Sequence, residues 1–323
     1  MLDDFYFSKD YISLYLQKED KILEFEYQEG NDLFVNRTIK RIIQTVGKLD
    51  IKEKLYDLET AYGYGGYRTN SDDPEFISRA MKRYTEYCVS DKIVAEFSRF
   101  HPFNTFASKF DDAFDFITPD RNTVCVDLSL TKEERWRQYD ANTRNILRKC
   151  ERQLQFEETN DLDSFYELYN ETMKRNQADS FYFFDKPYFE KLLSYNECKL
   201  YRVLFEGQTI SISFVLFDKE IAHYHLSASS NGFLKYNGNY FLLDCLFDIA
   251  REVGKKYFHL GGGRTNLEKD TLLLFKRKFS KDTLPFYIAG KVFMKEEYAK
   301  LCGLWSKQTN KEINYFLKYR LPI

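Results

Sequence analysis

"KLYRVLFEGQTISISFVLFDKEIAHYHLSAS", residues Lys199–Ser229, decides the fold. Three β-rich alternating runs are broken at Glu206-Gly207-Gln208 and at Asp218-Lys219-Glu220, the pattern of an antiparallel meander. Working outward, "DLDSFYELYNETMKRN" before it carries Phe165, Leu168 and Met173 at helical spacing, and "KPYFEKLLSY" opens a second helix with Pro187 in its first turn. After the meander, "NYFLLDCLFDIAREVG" places Leu242, Cys245, Leu246, Ile249 and Val253 on one helical face, with Asn239 as expected N-cap and Gly254 as C-cap. A strand over Tyr257–Leu260, a turn at Gly261-Gly262-Gly263, a helix from about Asp270 and a last strand "PFYIAGKVF" complete the half. The order is α, α, β, β, β, α, β, α, β.

Three consecutive glycines between a strand and a helix raise the question of a phosphate loop. A Walker A loop needs a Gly-Lys-Ser/Thr ending at fixed distance, and a dinucleotide fingerprint needs a third Gly where this chain has Asn266. Neither spacing is met. The first half reads as a weaker copy of the second. "YDLETAYGYGG" and "IVAEFSRFHPF" are expected strands around a helix through "DPEFISRAMKRYTEYCV", followed by a strand "NTVCVDLSL" and one long helix "TKEERWRQYDANTRNILRKCERQLQ". The tail "KEEYAKLCGLWSKQTNKEINYFLKYR" is expected to be helical and to pack back on the first half. This divides the chain into 1–153, joined by 294–323, and 154–293.

With 323 residues, 43% hydrophobic and 18% aromatic, the chain can bury a large core. Its 48 Lys plus Arg nearly cancel its 50 Asp plus Glu, so the global field does not favour nucleic acid and no DNA partner is expected. Cys88, Cys125, Cys150, Cys198, Cys245 and Cys302 form no C-x-x-C pair, which fits reduced, buried thiols. The N-terminus "MLDDFYFSKD" lacks an apolar core and no stretch approaches a membrane span, so a cytoplasmic location is expected, compatible with peripheral membrane association.

The element order of Asp161–Phe293 resembles the core of the GNAT acyltransferase fold. "YGYGG" at Tyr62, "RFHP" at Arg99, "W..Y...TRNILRK" from Trp136, "TMKRNQADSFYFF" from Thr172, "HYHLSAS", and "FHLGGG…LLLFKRKFS" together resemble FemX-type members of the FemABX family. The resemblance spans nearly the whole chain. It implies an α/β (α+β) fold of two tandem GNAT-like domains, with mixed central sheets flanked by helices. It further implies an aminoacyl-tRNA donor, so that a tRNA acceptor end is a candidate partner, and an amine acceptor on a nucleotide- or lipid-linked cell-envelope precursor. Relatives in the superfamily use acyl-CoA and serve surface polysaccharides. No tightly bound cofactor is implied.

Several residues carry candidate chemistry. Lys276 stands where the FemX-like pattern has its F-K-x-x-F lysine, and a cation there would stabilise the oxyanion formed when an amine attacks an ester or thioester; the plainer reading is a surface lysine. His223, His225 and Ser227 alternate onto one strand face with His259 on the neighbouring strand, giving candidate bases in His225 and His259. No cysteine or carboxylate completes a zinc set, and no metal is expected. Arg144, Arg148 and Arg152 recur at i, i+4, i+8 beside Lys149, a stripe able to hold a diphosphate or an RNA backbone, or else an ordinary solvated face. In "KYNGNY" Gly238 fits a pyrophosphate turn, whereas Tyr240 fills a position that should be small. Tyr62, Tyr64, Gly65, Arg99, His101, Trp136, Arg175, Asn176, Tyr182, Tyr224, Asn239 and the three glycines at 261–263 complete the expected substrate-binding set. No G-x-S-x-G elbow and no partnered Cys is present, so a direct transfer is expected rather than an acyl-enzyme. An inactive binding module and a CoA-dependent N-acyltransferase acting on a nucleotide-linked amino sugar are the competing readings.

Overall fold

The computed structural model describes all 323 residues. They form two compact units, residues 1–120 with 285–323 and residues 121–284. Both contain a mixed sheet with flanking helices, as the sequence predicts.

In the second unit the sheet runs from residues 121–127 through Tyr257–Gly262, Ile221–Ser229, Gln208–Phe217 and Cys198–Phe205 to Gln155–Thr159. The meander is antiparallel, and only Ile221–Ser229 and Tyr257–Gly262 pair parallel. A parallel pair needs a crossover, and helix Gly238–Glu252 supplies it. That helix buries Leu242, Leu243, Leu246, Phe247 and Ala250 against Val215, Ala222, Phe258 and Leu260 in one core cluster. Gly238 explains how closely it can lie: a Cβ there would come within 3.0 Å of Ser211 Cβ and 3.1 Å of an Ile210 methyl.

The first unit repeats the plan. Its sheet order is Lys21–Glu29, Asp32–Ile42, Tyr56–Glu59, Ile93–Arg99, Thr283–Val292 and residues 116–120. Again a single parallel pairing, Tyr56–Glu59 with Ile93–Arg99, is bridged by a helix, here Pro74–Ser90. Asp73 caps that helix by accepting from the Glu75 amide, and Pro74 occupies its first turn.

Four local readings are corrected. The single helix expected over 131–155 is two, Lys132–Gln138 and Ala141–Gln153. Asp140 breaks it, because its carboxylate accepts from the Thr143 amide at 2.6 Å and starts a new helix. The N-cap of the crossover helix is Asn237, in the left-handed region with φ 56°, rather than Asn239. The tail is helical only over Lys295–Thr309, where Asn310 at φ 50° ends it. The N-terminal hairpin Lys21–Ile42 and the strand Gln155–Thr159 were not anticipated; the hairpin turns at Gly30, φ 56°.

Candidate active site

The parallel strands of the second unit part early. Pairing is confined to Ile221↔Tyr257, Ala222↔Phe258 and His223↔His259, although one strand continues to Ser229 and the other to Gly262. Beyond that point lies a notch whose apex is the two buried imidazoles. Their Nδ1 atoms are 3.3 Å apart, so one nitrogen carries a proton and the other accepts it. A β-bulge then shifts the register: Tyr224 faces Val215 and Leu226 faces Phe214, leaving His225 without a residue opposite. The bulge interrupts the alternation expected of His223, His225 and Ser227, and Ser227 falls beside the Tyr224 phenol. Burial, helped by His223, pulls His225 down to about 3, so it is neutral near pH 7 and a weak proton acceptor.

The glycine turn is braced rather than flexible. Gly261 adopts φ 73° where the strand shifts register against its neighbour, residues 123–127. Arg121 donates to the carbonyls of Gly263 and Arg264 at 3.0 and 3.1 Å. Asp270 receives the amides of Leu272 and Leu273 on Oδ1, and the amides of Arg264 and Thr265 with the Thr265 hydroxyl on Oδ2. Burial alone would raise this carboxyl, but those donors hold it below its ordinary range. Gly263 has no room for a side chain, since a Cβ would lie 2.5 Å from Asp270 Oδ1. Here, as at Gly63, Gly65 and Gly66, whose missing Cβ atoms would meet Tyr6, Thr60 and Phe100, glycine serves the approach of the protein's own side chains.

Lys276 ends the short helix Thr271–Lys276 and is buried, with 7% of its surface exposed. Its Nζ donates to Gly262 O at 2.7 Å, at the open end of the notch. Burial pulls its pKa down to about 7, although Asp270 works the other way. The ring of Tyr240 packs on Phe275 and Phe279, with centroids 5.0 and 5.8 Å away, and so is turned toward the core. It does not crowd the helix entry as its size suggested. No side chain caps that N-terminus, while Asn239 Oδ1 hydrogen-bonds the Ser211 hydroxyl.

Other expected site residues fasten elements together. Trp136 Nε1 donates to the buried Asp244 at 2.9 Å, and Arg144 donates to Tyr139 O, closing the end of helix Lys132–Gln138. Arg175 holds Ser229 through its carbonyl and its hydroxyl, 3.0 Å each, and Asn176 is the C-cap of helix Leu162–Arg175. Arg148, Lys149 and Tyr182 are exposed.

In the first unit, the loop after Tyr56–Glu59 gathers Tyr62, Tyr64, Gly65, Arg99 and His101. Gly65 N donates to Arg99 O at 2.8 Å and His101 N to Gly65 O at 3.0 Å. The Tyr64 ring meets Tyr6, His101 and Phe286, and Tyr62 O accepts from the Tyr11 phenol. His101 Nδ1 accepts from the Phe103 amide, which leaves the ring proton on Nε2, 3.5 Å from Asp4 Oδ2. Arg99 pairs with Glu59 at 2.8 Å. Asp4, Tyr6, Arg121 and Asp270 were missed from the sequence. Asp270 alone left a signal, as an Asp directly before an apolar helical run.

Residues 137–269 match the family model described as an acetyltransferase (GNAT) domain. Among solved structures, FemX resembles the chain with a TM-score of 0.73 at 13% identity, over 92% of this chain and 94% of that one. The C-terminal domain of a putative lysylphosphatidylglycerol synthetase from Agrobacterium fabrum gives 0.57 at 17% identity, over 93% and 92%. L-PGS from Bacillus licheniformis gives 0.54 at 14%, over 84% of each. No curated protein matches. The chain thus shares the fold of FemX, and residues 137–269 within it match an acetyltransferase (GNAT) domain.

Proposed function

We propose that this chain moves an aminoacyl or acyl group onto an amine of a nucleotide- or lipid-linked cell-envelope precursor, a peptidoglycan or surface-polysaccharide intermediate, in the cytoplasm. The observation that carries this reading is the notch beyond His223 and His259 with Lys276 at its open end. A carbonyl held there would be attacked directly by the acceptor amine. The new C–N bond forms as the ester or thioester bond breaks, and the donor's oxygen or sulfur leaves with the electron pair. In this reading Lys276, as an ammonium, would stabilise the transient oxyanion, and its Nζ beside Gly262 O supports that role. The amine's proton passes to the His223–His259 pair, with His225 too weakly basic to take it near neutrality.

In the first unit, Tyr62, Tyr64 and Arg99 around the glycine loop offer aromatic faces and a cation suited to a sugar nucleotide. Arg148 and Lys149, both exposed, would meet phosphate on either substrate. Aminoacyl-tRNA is the first donor reading. An acyl-CoA donor is supported separately by the uncapped N-terminus of helix Gly238–Glu252, which the inward turn of Tyr240 leaves open.

The test is product identification by mass spectrometry after incubation with UDP-linked and lipid-linked precursors and either an aminoacyl-tRNA pool or acyl-CoA. A precursor heavier by one aminoacyl residue supports the first reading, and one heavier by an acyl group supports the second. Unmodified precursors with thermal stabilisation by CoA or by UDP-linked precursor would leave a binding module instead, and unmodified precursors without stabilisation would overturn both transfer readings.

A further inference from the structure

Apart from the buried Lys276 and Asp270, residues 264–281 of the second unit present side chains that have no part in the proposed transfer reaction. Leu267 is 64% exposed and Leu274 is 45% exposed. In the same segment Arg264, Lys269 and Lys281 are exposed and Lys278 is half-buried. The acidic groups of the segment are mostly spent internally. Glu268 pairs with Arg277 at 2.8 Å, and Asp270 is buried under its loop amides; these are the segment's two carboxylates, and Asp282 follows directly after it. Arg264, Lys269 and Lys278 have no carboxylate within ion-pairing distance. The basic character continues past Asp140. Its carboxyl is held low first by the Thr143 amide and then by Lys278 and Lys281, and it caps the helix on which Arg152 is also exposed.

Unneutralised cations alone would suit any polyanion. The two leucines decide between them. An RNA backbone would engage the cations and leave Leu267 and Leu274 in water, whereas at an anionic bilayer apolar side chains enter the acyl boundary while lysines and arginines meet the lipid phosphates. No helix is long and apolar enough to cross a membrane, so contact of this kind would be peripheral. We propose that residues 264–281 dock this chain on an anionic lipid surface. The inference stands apart from the transfer reaction, because its test involves no substrate turnover.

The experiment is flotation of the full chain with phosphatidylcholine vesicles, with and without about 30% phosphatidylglycerol, at low and high salt. We expect binding only to the anionic vesicles and weaker at high salt. It should fall roughly ten-fold or more both in Leu267→Ser with Leu274→Ser and in Lys269→Glu with Lys278→Glu, variants at surface positions whose folding circular dichroism verifies. Absence of binding to anionic vesicles would overturn the proposal. So would vesicle binding that either double variant retains in full, or capture by bulk tRNA that the leucine variant shares while vesicles are ignored.

Discussion

Lys276 is buried with a carbonyl as its hydrogen-bond partner, which disfavours its charged form. If the ammonium meets the oxyanion, the rate should fall as pH rises through about 7, because the cation is lost there. Stability moves the opposite way. Between about 7 and the ordinary value of 10.5 the unfolded chain binds this proton and the folded chain does not, so stability rises with pH across that window. Lys276→Met should therefore reduce single-turnover transfer at saturating substrates by about 100-fold, with little change in the Michaelis constants. It should also flatten the rise in melting temperature between pH 7 and 10. A variant turning over within twofold of wild type would remove Lys276 from the mechanism. Asp270 makes the complementary case. Asp270→Ala strips the cap of helix Thr271–Lys276 and the partner of Arg264 and Thr265, and urea unfolding should register a loss of about 2 kcal/mol. Because its carboxyl is held below the ordinary range, that contribution is present above about pH 4 and vanishes as the folded group protonates in acid.

At the scale of elements, two of the three arginines of one predicted stripe separate. Arg144 closes the helix before its own, whereas Arg148 is exposed and its side chain reaches only Asn145. Arg144→Ala should lower unfolding free energy by about 1 kcal/mol, and Arg148→Ala should leave it unchanged while weakening a phosphate-bearing substrate in a salt-dependent way. Equal denaturation midpoints for the two variants would reject this division. The difference was not legible in the sequence, where i, i+4 spacing gives both side chains the same face and says nothing of the helix break at Asp140. The meander was legible, because alternation and the turns at Gly207 and Asp218 are local signals. His225 was not: which residue a bulge leaves unopposed is set by pairing with Phe214 and Val215 on another strand. The brace on the glycine turn was hidden for the same reason, since Arg121 lies 142 residues from Gly263.

At the scale of the molecule, the two units differ in how much chain each needs. The second is one continuous segment, residues 121–284, and all members of its main core cluster lie within it. The first is completed only by residues 285–323. These return the strand Thr283–Val292 against Ile93–Arg99, place Lys291 opposite the buried Glu96, and supply Leu301, Cys302, Trp305, Leu317 and Tyr319 to a cluster with Ile43, Val46, Val94 and Ala95. They also bring Arg320, which grips the fully buried Asp57 from Nε at 2.7 Å and Nη2 at 2.9 Å, alongside Arg41. Without them Glu96, already raised by burial, loses the lysine opposite it, and Asp57 keeps one of its two arginines. A fragment of residues 121–284 should accordingly fold alone, with a cooperative denaturant transition and dispersed amide resonances, whereas residues 1–120 should not. In the full chain, Arg320→Ala should cost about 2 kcal/mol, since one guanidinium remains to a carboxylate that cannot reach water. A cooperative transition in the 1–120 fragment would show that the C-terminal segment decorates the first unit instead of completing it.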